Sequence, residues 1–507
     1  MELKKAITFH IIPIKWNCEL GSGQEMLKQD TIWEEAEMVT ENGILYPHIQ
    51  KFLQSSLKNY IQGEYSLNAY DYRVYSLKNG IDCLNVLLDN SMEVMLNMNG
   101  KEECVRFKFM NKINSFFSPK LIVSLFSCTG ILILPVIMEG NKMLLEELIE
   151  FNYKLHKTDK QMVSFRLGRY SNLLNLISKY ESETDCNKKS KLEETVNSAK
   201  KSLIAMYDRM GDLVELCDNG NQLDSSLNID NVIGFMLNGA NTTCVRFNKF
   251  RTHLFTYLSV SQQSVSDDLF LDFERIVRIQ NKKYKVVSDD SSCISKTFEN
   301  IYIGSSIEGG AIMTIDSKDS SDFIKQFDTA SLSHRYMWIY VMLIMQRHIL
   351  LQIIHSLALM NENDYHSSRI DKSLKQLRKY MECIAKIKVN TYFSSISDYT
   401  QHNEFYNFCC NNLGIDKLFG ELGQKMNTLN EYLEQLSDIK KENTQEELTI
   451  IVAIFTLASA SNDSLDLLDK IGFLHLEQNS TYVLLVVLVV LFLLLFIIKR
   501  YFNLKRK

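Results

Sequence analysis

Two periodicities divide the chain. Up to about residue 140, apolar positions come in short runs or alternate with polar ones, the spacing of β-strands. Beyond that point they increasingly repeat every three to four residues, the spacing of helices. The pattern predicts strands over residues 5–14, 70–77, 93–98 and 104–110, with helical pieces at 30–39 and 48–60 between them. Residues 121–138 carry no charge, yet the stretch is rich in β-branched side chains, is interrupted by Ser127-Cys128-Thr129-Gly130 and holds Pro135. Two buried strands around a turn at Thr129-Gly130 suit that composition better than a membrane helix. Helices are expected over 144–156, 164–180 and 192–217, followed by short strands at 284–287, 301–303 and 311–315.

From residue 321 onward the pattern is helical throughout. Residues 336–360 are apolar but carry Gln346, Arg347 and His348 at their centre, and a central arginine is costly in lipid, so the stretch reads as a long buried helix. Leu418, Leu422, Met426, Leu429, Leu433 and Leu436 form one apolar seam on a helix, able to pack on its own domain or on a neighbouring subunit as a stalk. The expected fold class is α+β and predominantly helical. Its parts are a mixed α/β domain over 1–140, a mainly helical region with a short strand group over 141–320, a helical region with a long stalk-like helix over 321–447, and a membrane region over 448–507.

That last assignment rests on residues 482–498, an unbroken apolar run opened by Tyr482 and followed by Lys499 and Arg500. At 1.5 Å per residue it covers about 25 Å, enough to cross a thin bilayer. The tail beyond it is basic and has no acidic residue, which favours the cytoplasmic side. A second, shorter apolar segment at 448–460 and an acidic stretch between the two would make a membrane hairpin with both chain ends in the cytosol. A single C-terminal anchor is the other arrangement.

Composition agrees with this division. The chain has 507 residues but four prolines, Pro13, Pro47, Pro119 and Pro135, so the long proline-free remainder suits helices. The eleven cysteines are scattered, odd in number and without a C-x-x-C pair, which fits a reducing compartment and is poor evidence for a disulfide framework or a zinc site. Residues 1–16 are too short in apolar content for a signal peptide. The bulk of the chain is therefore expected in the cytosol. A net charge of −5 argues against nucleic acid as a partner.

No catalytic motif is present: there is no G-x-S-x-G elbow and no H-E-x-x-H. The ten histidines are dispersed; His348 and His355 share a helical face but lie two turns apart, wider than a metal-binding pair, and read as core or boundary residues. The glycine cluster from Gly304 to Ala311 lacks the Lys-Ser/Thr of a phosphate loop and reads as a turn between strands.

The most informative polar series is Asp463, Asp466 and Asp469, three carboxylates at i, i+3 and i+6 just after Asn462. They suit a solvated helix face or, in an oligomer, rings of charge that concentrate cations at a pore mouth. Oxygen ligands of this kind suit magnesium or calcium. With the mixed N-terminal region, the long amphipathic helix, Leu448-Thr449 opening an apolar segment with Phe455, and Lys499-Arg500 after the last run, the chain resembles the CorA-type divalent-cation transporter superfamily. It reads Ala460-Ser461-Asn462 where that superfamily has Gly-Met-Asn, leaving Asn462 as the matching residue. The resemblance implies a homo-oligomer in the lipid bilayer, a first span lining the pore, and magnesium as the ion moved or sensed; without a catalytic motif, no enzymatic activity is expected. Asn462, Asp463, Asp466 and Asp469 are then ion-pathway candidates, and Tyr482, Lys499 and Arg500 membrane-anchoring ones. A membrane-anchored scaffold with no transport activity is the alternative.

Overall fold

The computed structural model describes residues 1–16, 33–35, 72–77, 92–98, 101–105, 107–109, 118–124, 129–138, 143–157, 163–167, 176–209, 217–219, 222–224, 227–228, 233, 237, 244–246, 252–283, 293–317, 321–327, 332, 335–358, 370–391, 393 and 395–470. The chain divides into two compact units. One comprises Met1–Leu359 with Arg378–Met426, and the other Met360–Leu377 with the chain from Asn427 onward.

Among the described residues, the first unit is built on a twelve-stranded mixed sheet. Nine strands lie side by side, in spatial order β16 (Ile294–Phe298), β17 (Ile301–Ser305), β18 (Gly309–Asp316), β15 (His253–Ser261), β1 (Glu2–Trp16), β8 (Thr129–Met138), β7 (Lys120–Ser124), β3 (Tyr72–Leu77) and β2 (Trp33–Glu35). Short strands β14 (Cys244–Arg246) and β9 (Met143–Leu144) pair with β1, and β6 (Phe107–Phe109) pairs with β8. All pairings are antiparallel except β15 with β18, which run parallel in the register Leu254↔Gly309. A smaller sheet joins β13 (Leu227–Asn228), β10 (Val163–Leu167), β4 (Met92–Met98) and β5 (Lys101–Val105), and β11 (Cys217–Asn219) pairs with β12 (Gln222–Asp224).

β8 and the central Ala6–Ile14 part of β1 are buried, mostly apolar stretches because both of their faces are covered. Pairing sets the sides: Ala6, Thr8, Ile12, Leu132, Leu134, Val136, Leu254, Thr256 and Leu258 share one face, and Ile7, Phe9, Ile131, Ile133, Phe255 and Tyr257 the other. Helices α1 (Leu145–His156) and α3 (Leu269–Val277) cover the first face through Leu148, Phe151, Phe273 and Val277. Helix α5 (Met337–Ala358) covers the second, with the Tyr340 ring 4.5 Å from that of Phe255. The prolines fit between pairing partners. Pro13 falls where β1 leaves β15, at Ile11↔His253, and meets β14, at Ile14↔Arg246; Pro135 falls between the ends of β7 and β6 along β8. A missing N–H is harmless at such a gap.

Several expectations are borne out in kind. Residues 121–138 contain two paired strands, with Thr129-Gly130, expected as the turn, at the start of β8. The glycine cluster is a strand–strand turn: Ser306 Oγ donates to the Val277 carbonyl (2.8 Å) and accepts from the Glu308 and Gly309 amides (both 3.2 Å). α5 is 83% buried over its most apolar stretch and is the one helix among the described residues with the length and composition of a span.

Others differ. Trp33–Glu35, expected within a helix, is edge strand β2; the 2% exposed Trp33 pairs onto β3, and sheet burial overrides local helical spacing. Ser164–Leu167, also expected helical, lies in β10, and Cys217 opens β11 where the 192–217 helix was to end; α2 (Cys186–Arg209) covers most of that helix. β1 pairs with both β8 and β15, so strands from the 1–140 and 141–320 stretches share one sheet. The fold is mixed α/β, with the sheet in the N-terminal half and helices mostly C-terminal. Residues 48–60 and 284–287 lie outside the described residues.

Candidate functional site

The C-terminal helices are α4 (Ser321–Gln326), α6 (Ile370–Thr391), α7 (Thr400–Leu413) and α8 (Ile415–Lys470). Gly414, at φ 67°, ends α7 in the left-handed conformation that glycine adopts without strain, and α8 starts at the next residue. α8 has no proline and no glycine after Gly423, so nothing in its sequence breaks it for 56 residues. Glu421–Lys425 (2.5 Å) supports it at i, i+4, and the Thr449 hydroxyl donates to the Gln445 carbonyl (2.8 Å).

The apolar character of α8 changes along its length. Leu422, Met426 and Leu433, three of the six expected seam positions, are at most 2% exposed, while Leu418 and Leu429 are half-buried. From 448 the reverse holds: Leu448, Ile451 and Val452 are 57%, 44% and 61% exposed. The expected short span at 448–460 is not a separate element followed by a loop. The helix continues through Asn462, Asp463, Asp466 and Asp469 to Lys470, with the three aspartates spread over about 120° of its circumference. Their side chains, and Tyr482, Lys499 and Arg500 altogether, lie outside the described residues.

A second polar site lies at one end of the main sheet, around Thr252 and His253. On the α1 side, His10 of β1 shares a hydrogen bond between Nε2 and Thr252 Oγ1 (2.7 Å), and His156, the last residue of α1, donates from Nδ1 to the Thr252 carbonyl (2.7 Å). One turn back, Asn152 bridges Thr8 and Thr256, accepting from the Thr8 hydroxyl and donating to Thr256 Oγ1, both at 2.9 Å. On the α5 side, His253 meets His348 edge to face, with ring centroids 5.0 Å apart. Both are buried, at 8% and 6% exposure. Beside them, Arg347 donates from Nη1 to the Leu413 carbonyl at the end of α7.

Burial keeps this pair neutral. It holds His253 well below the usual histidine range, with His348, Arg347 and His156 adding repulsion, and it drives His348 down to about 3, with Arg347 again adding to the effect. Burial also pushes the Cys410 thiol up to about 12, so it is no nucleophile, and Cys409 higher still. Among the described residues no group of three or more His, Cys, Asp or Glu is arranged to hold a metal ion. The four histidines sit as two pairs on opposite faces of the sheet and do not converge.

The sequence gives no sign of this cluster, since its members are far apart in the chain and join only through β1–β15 pairing and the docking of α5. His355, which shares a helical face with His348, is exposed while His348 is buried. No protein-family model, curated protein or solved structure matches the chain.

Proposed function

We propose that the chain is an integral membrane protein of CorA-like organisation, an oligomer that moves or senses a divalent cation, magnesium first, under the control of its large cytosolic part. The observation that supports this reading most is the run of exposed Leu448, Ile451 and Val452 on a helix that continues unbroken past the acidic positions. Large apolar side chains on successive turns need a cover, and lipid or a neighbouring subunit supplies one. The rise from 448 to 470 is about 33 Å, close to the thickness of a bilayer core. The apolar run at 482–498 and the basic tail complete a hairpin whose ends share one side of the membrane.

A second reading is favoured by one observation. Leu422, Met426 and Leu433 are covered by the chain itself, which leaves less of the seam for a subunit stalk and suits a scaffold held by a C-terminal anchor. Locating the tail beyond Arg500 with a compartment-sensitive reporter separates the two. The hairpin requires a cytosolic tail; a tail on the outer side would leave a single anchor and end the transport reading.

A further inference from the structure

We propose that the His253–His348 contact is an acid-sensitive latch that holds α5 on the sheet, and that protonation of the pair releases the helix locally while the opposite face of the sheet stays packed. The latch depends on the first compact unit alone and stands apart from the transport reading.

Its basis is the set of groups around the pair. β15 contributes His253 itself. From β1 comes His10, across the sheet on Thr252, and from α1 comes His156 on the Thr252 carbonyl. α5 contributes Arg347 and Tyr340, α7 contributes Cys409, whose charge would act on Tyr340, and the β17–β18 turn contributes Glu308, which acts on Arg347. β8, which also packs on α5, carries no ionisable side chain. The charges acting on His253 are thus imidazoles and a guanidinium. A proton on either ring would place a cation about 5 Å from its partner and beside Arg347, in a water-poor layer. Charge and burial both oppose that state while α5 is docked; undocking relieves both.

Linkage sets the size of the effect. In a released form with ordinary histidines near pH 6.5, each ring takes up a proton that the docked form refuses. Between pH 7.5 and pH 5 this raises the released population about thirtyfold for each histidine, so two acting independently reach about a thousandfold. His402 on α7, also held low by burial, lies beside Ser397 and Tyr336 and adds in the same direction.

Hydrogen exchange with mass spectrometry on the full chain in detergent tests the latch. Exchange would be followed at pH 7.5, 6 and 5 and corrected for intrinsic rates, with peptides from α5 compared against peptides from α3 on the other face. The expected result is a loss of α5 protection by pH 5 at least tenfold greater than any loss in α3. In His348→Gln, and separately in His253→Asn, the pH-dependent loss should shrink by an order of magnitude. α3 protection at pH 7.5 serves as the check that each variant is folded. Constant α5 protection from pH 7.5 to 5 in the natural chain would overturn the proposal, and that comparison needs no variant. So would equal loss on both faces, the mark of global unfolding, or an unchanged pH response in a folded variant.

Discussion

Asn152 of α1 lies between Thr8 of β1 and Thr256 of β15, and its single amide group ties the two strands to the helix that covers them. The three side chains are at most 1% exposed, so each hydrogen bond replaces water that cannot enter. Replacing Asn152 by Ala removes both partners and leaves a small void. The two threonine hydroxyls are 3.3 Å apart and can still bond one another, which limits the loss. We expect destabilisation of about 1–3 kcal/mol, read as a lower urea midpoint. An unchanged midpoint would mean that the bridge adds nothing.

Gly304 on β17 tests how closely α3 packs on the sheet. A Cβ there would lie 2.1 Å from Val277 Cγ2, far inside contact distance, whereas one at Gly310 would meet the Tyr340 and Phe255 rings at about 3 Å. Gly304→Ala should therefore be the more damaging, by about 1–3 kcal/mol or more, and Gly304→Ala with Val277→Ala should recover part of it. Thermal midpoints of the three variants give the comparison.

Ile279 has φ 49° and ends α3 in the left-handed conformation, a position that glycine usually takes. The Gln280 amide reaches the Arg275 carbonyl (2.8 Å) and the Ile279 amide the Ile276 carbonyl (3.3 Å), the two bonds of a Schellman end. The isoleucine is tolerated because its side chain is 5% exposed and would touch a Cβ at Gly309. Ile279→Gly relieves about 1–2 kcal/mol of backbone strain but loses a buried side chain worth about 2–5 kcal/mol. The net expectation is a lower melting temperature, and a rise would show that strain outweighs packing.

Acid should weaken the fold as a whole. His348, held to about 3, and His402, held to about 4, remain neutral in the folded chain while the unfolded chain takes up protons below about pH 6.5. Their contribution is therefore complete above about pH 6.5 and is lost as pH falls from there toward pH 3–4. Over the 1.5 units from pH 6.5 to 5, each accounts for about 2 kcal/mol. Urea midpoints should fall over that range, and less steeply in His348→Gln.

Much of the architecture is legible in sequence where one element carries its own signal. The paired strands of 120–138 show in β-branched content and a polar interruption, the buried α5 in its apolar length around Arg347, and α8 in its leucine seam. The central strand β15 does not show. Its Thr256 and Ser259 break the apolar run, and Thr256 is accommodated in the core because Asn152 and Thr8, remote in sequence, complete its hydrogen bonds. The histidine cluster is hidden for the same reason: it belongs to the strand order and not to any local spacing. At the other site the three aspartates are legible as a series, while the unbroken helix that carries them emerges only from the full length of α8.

Ile451 and Val452 distinguish a solvent-facing helix from a membrane one. On a solvated surface, aspartate at both positions costs little, within about 0.5 kcal/mol each. In a span each charge adds about 2.5–3.5 kcal/mol to insertion, enough to expel a marginal segment. Ile451→Asp with Val452→Asp should move a reporter on the tail to the outer side while leaving the 482–498 run as an anchor. A reporter that stays put would count against 448–460 as a membrane element.

Cation flux is the most direct measure of the proposed function. The purified chain, reconstituted in liposomes loaded with a magnesium-sensitive dye, should admit magnesium well above the rate of empty liposomes. Asp463→Asn, Asp466→Asn and Asp469→Asn together should reduce that rate at least tenfold with the oligomer intact. Liposomes bearing the natural chain that admit no more magnesium than empty ones would contradict a transporter, and equal flux in the triple variant would contradict the acidic positions as its pathway.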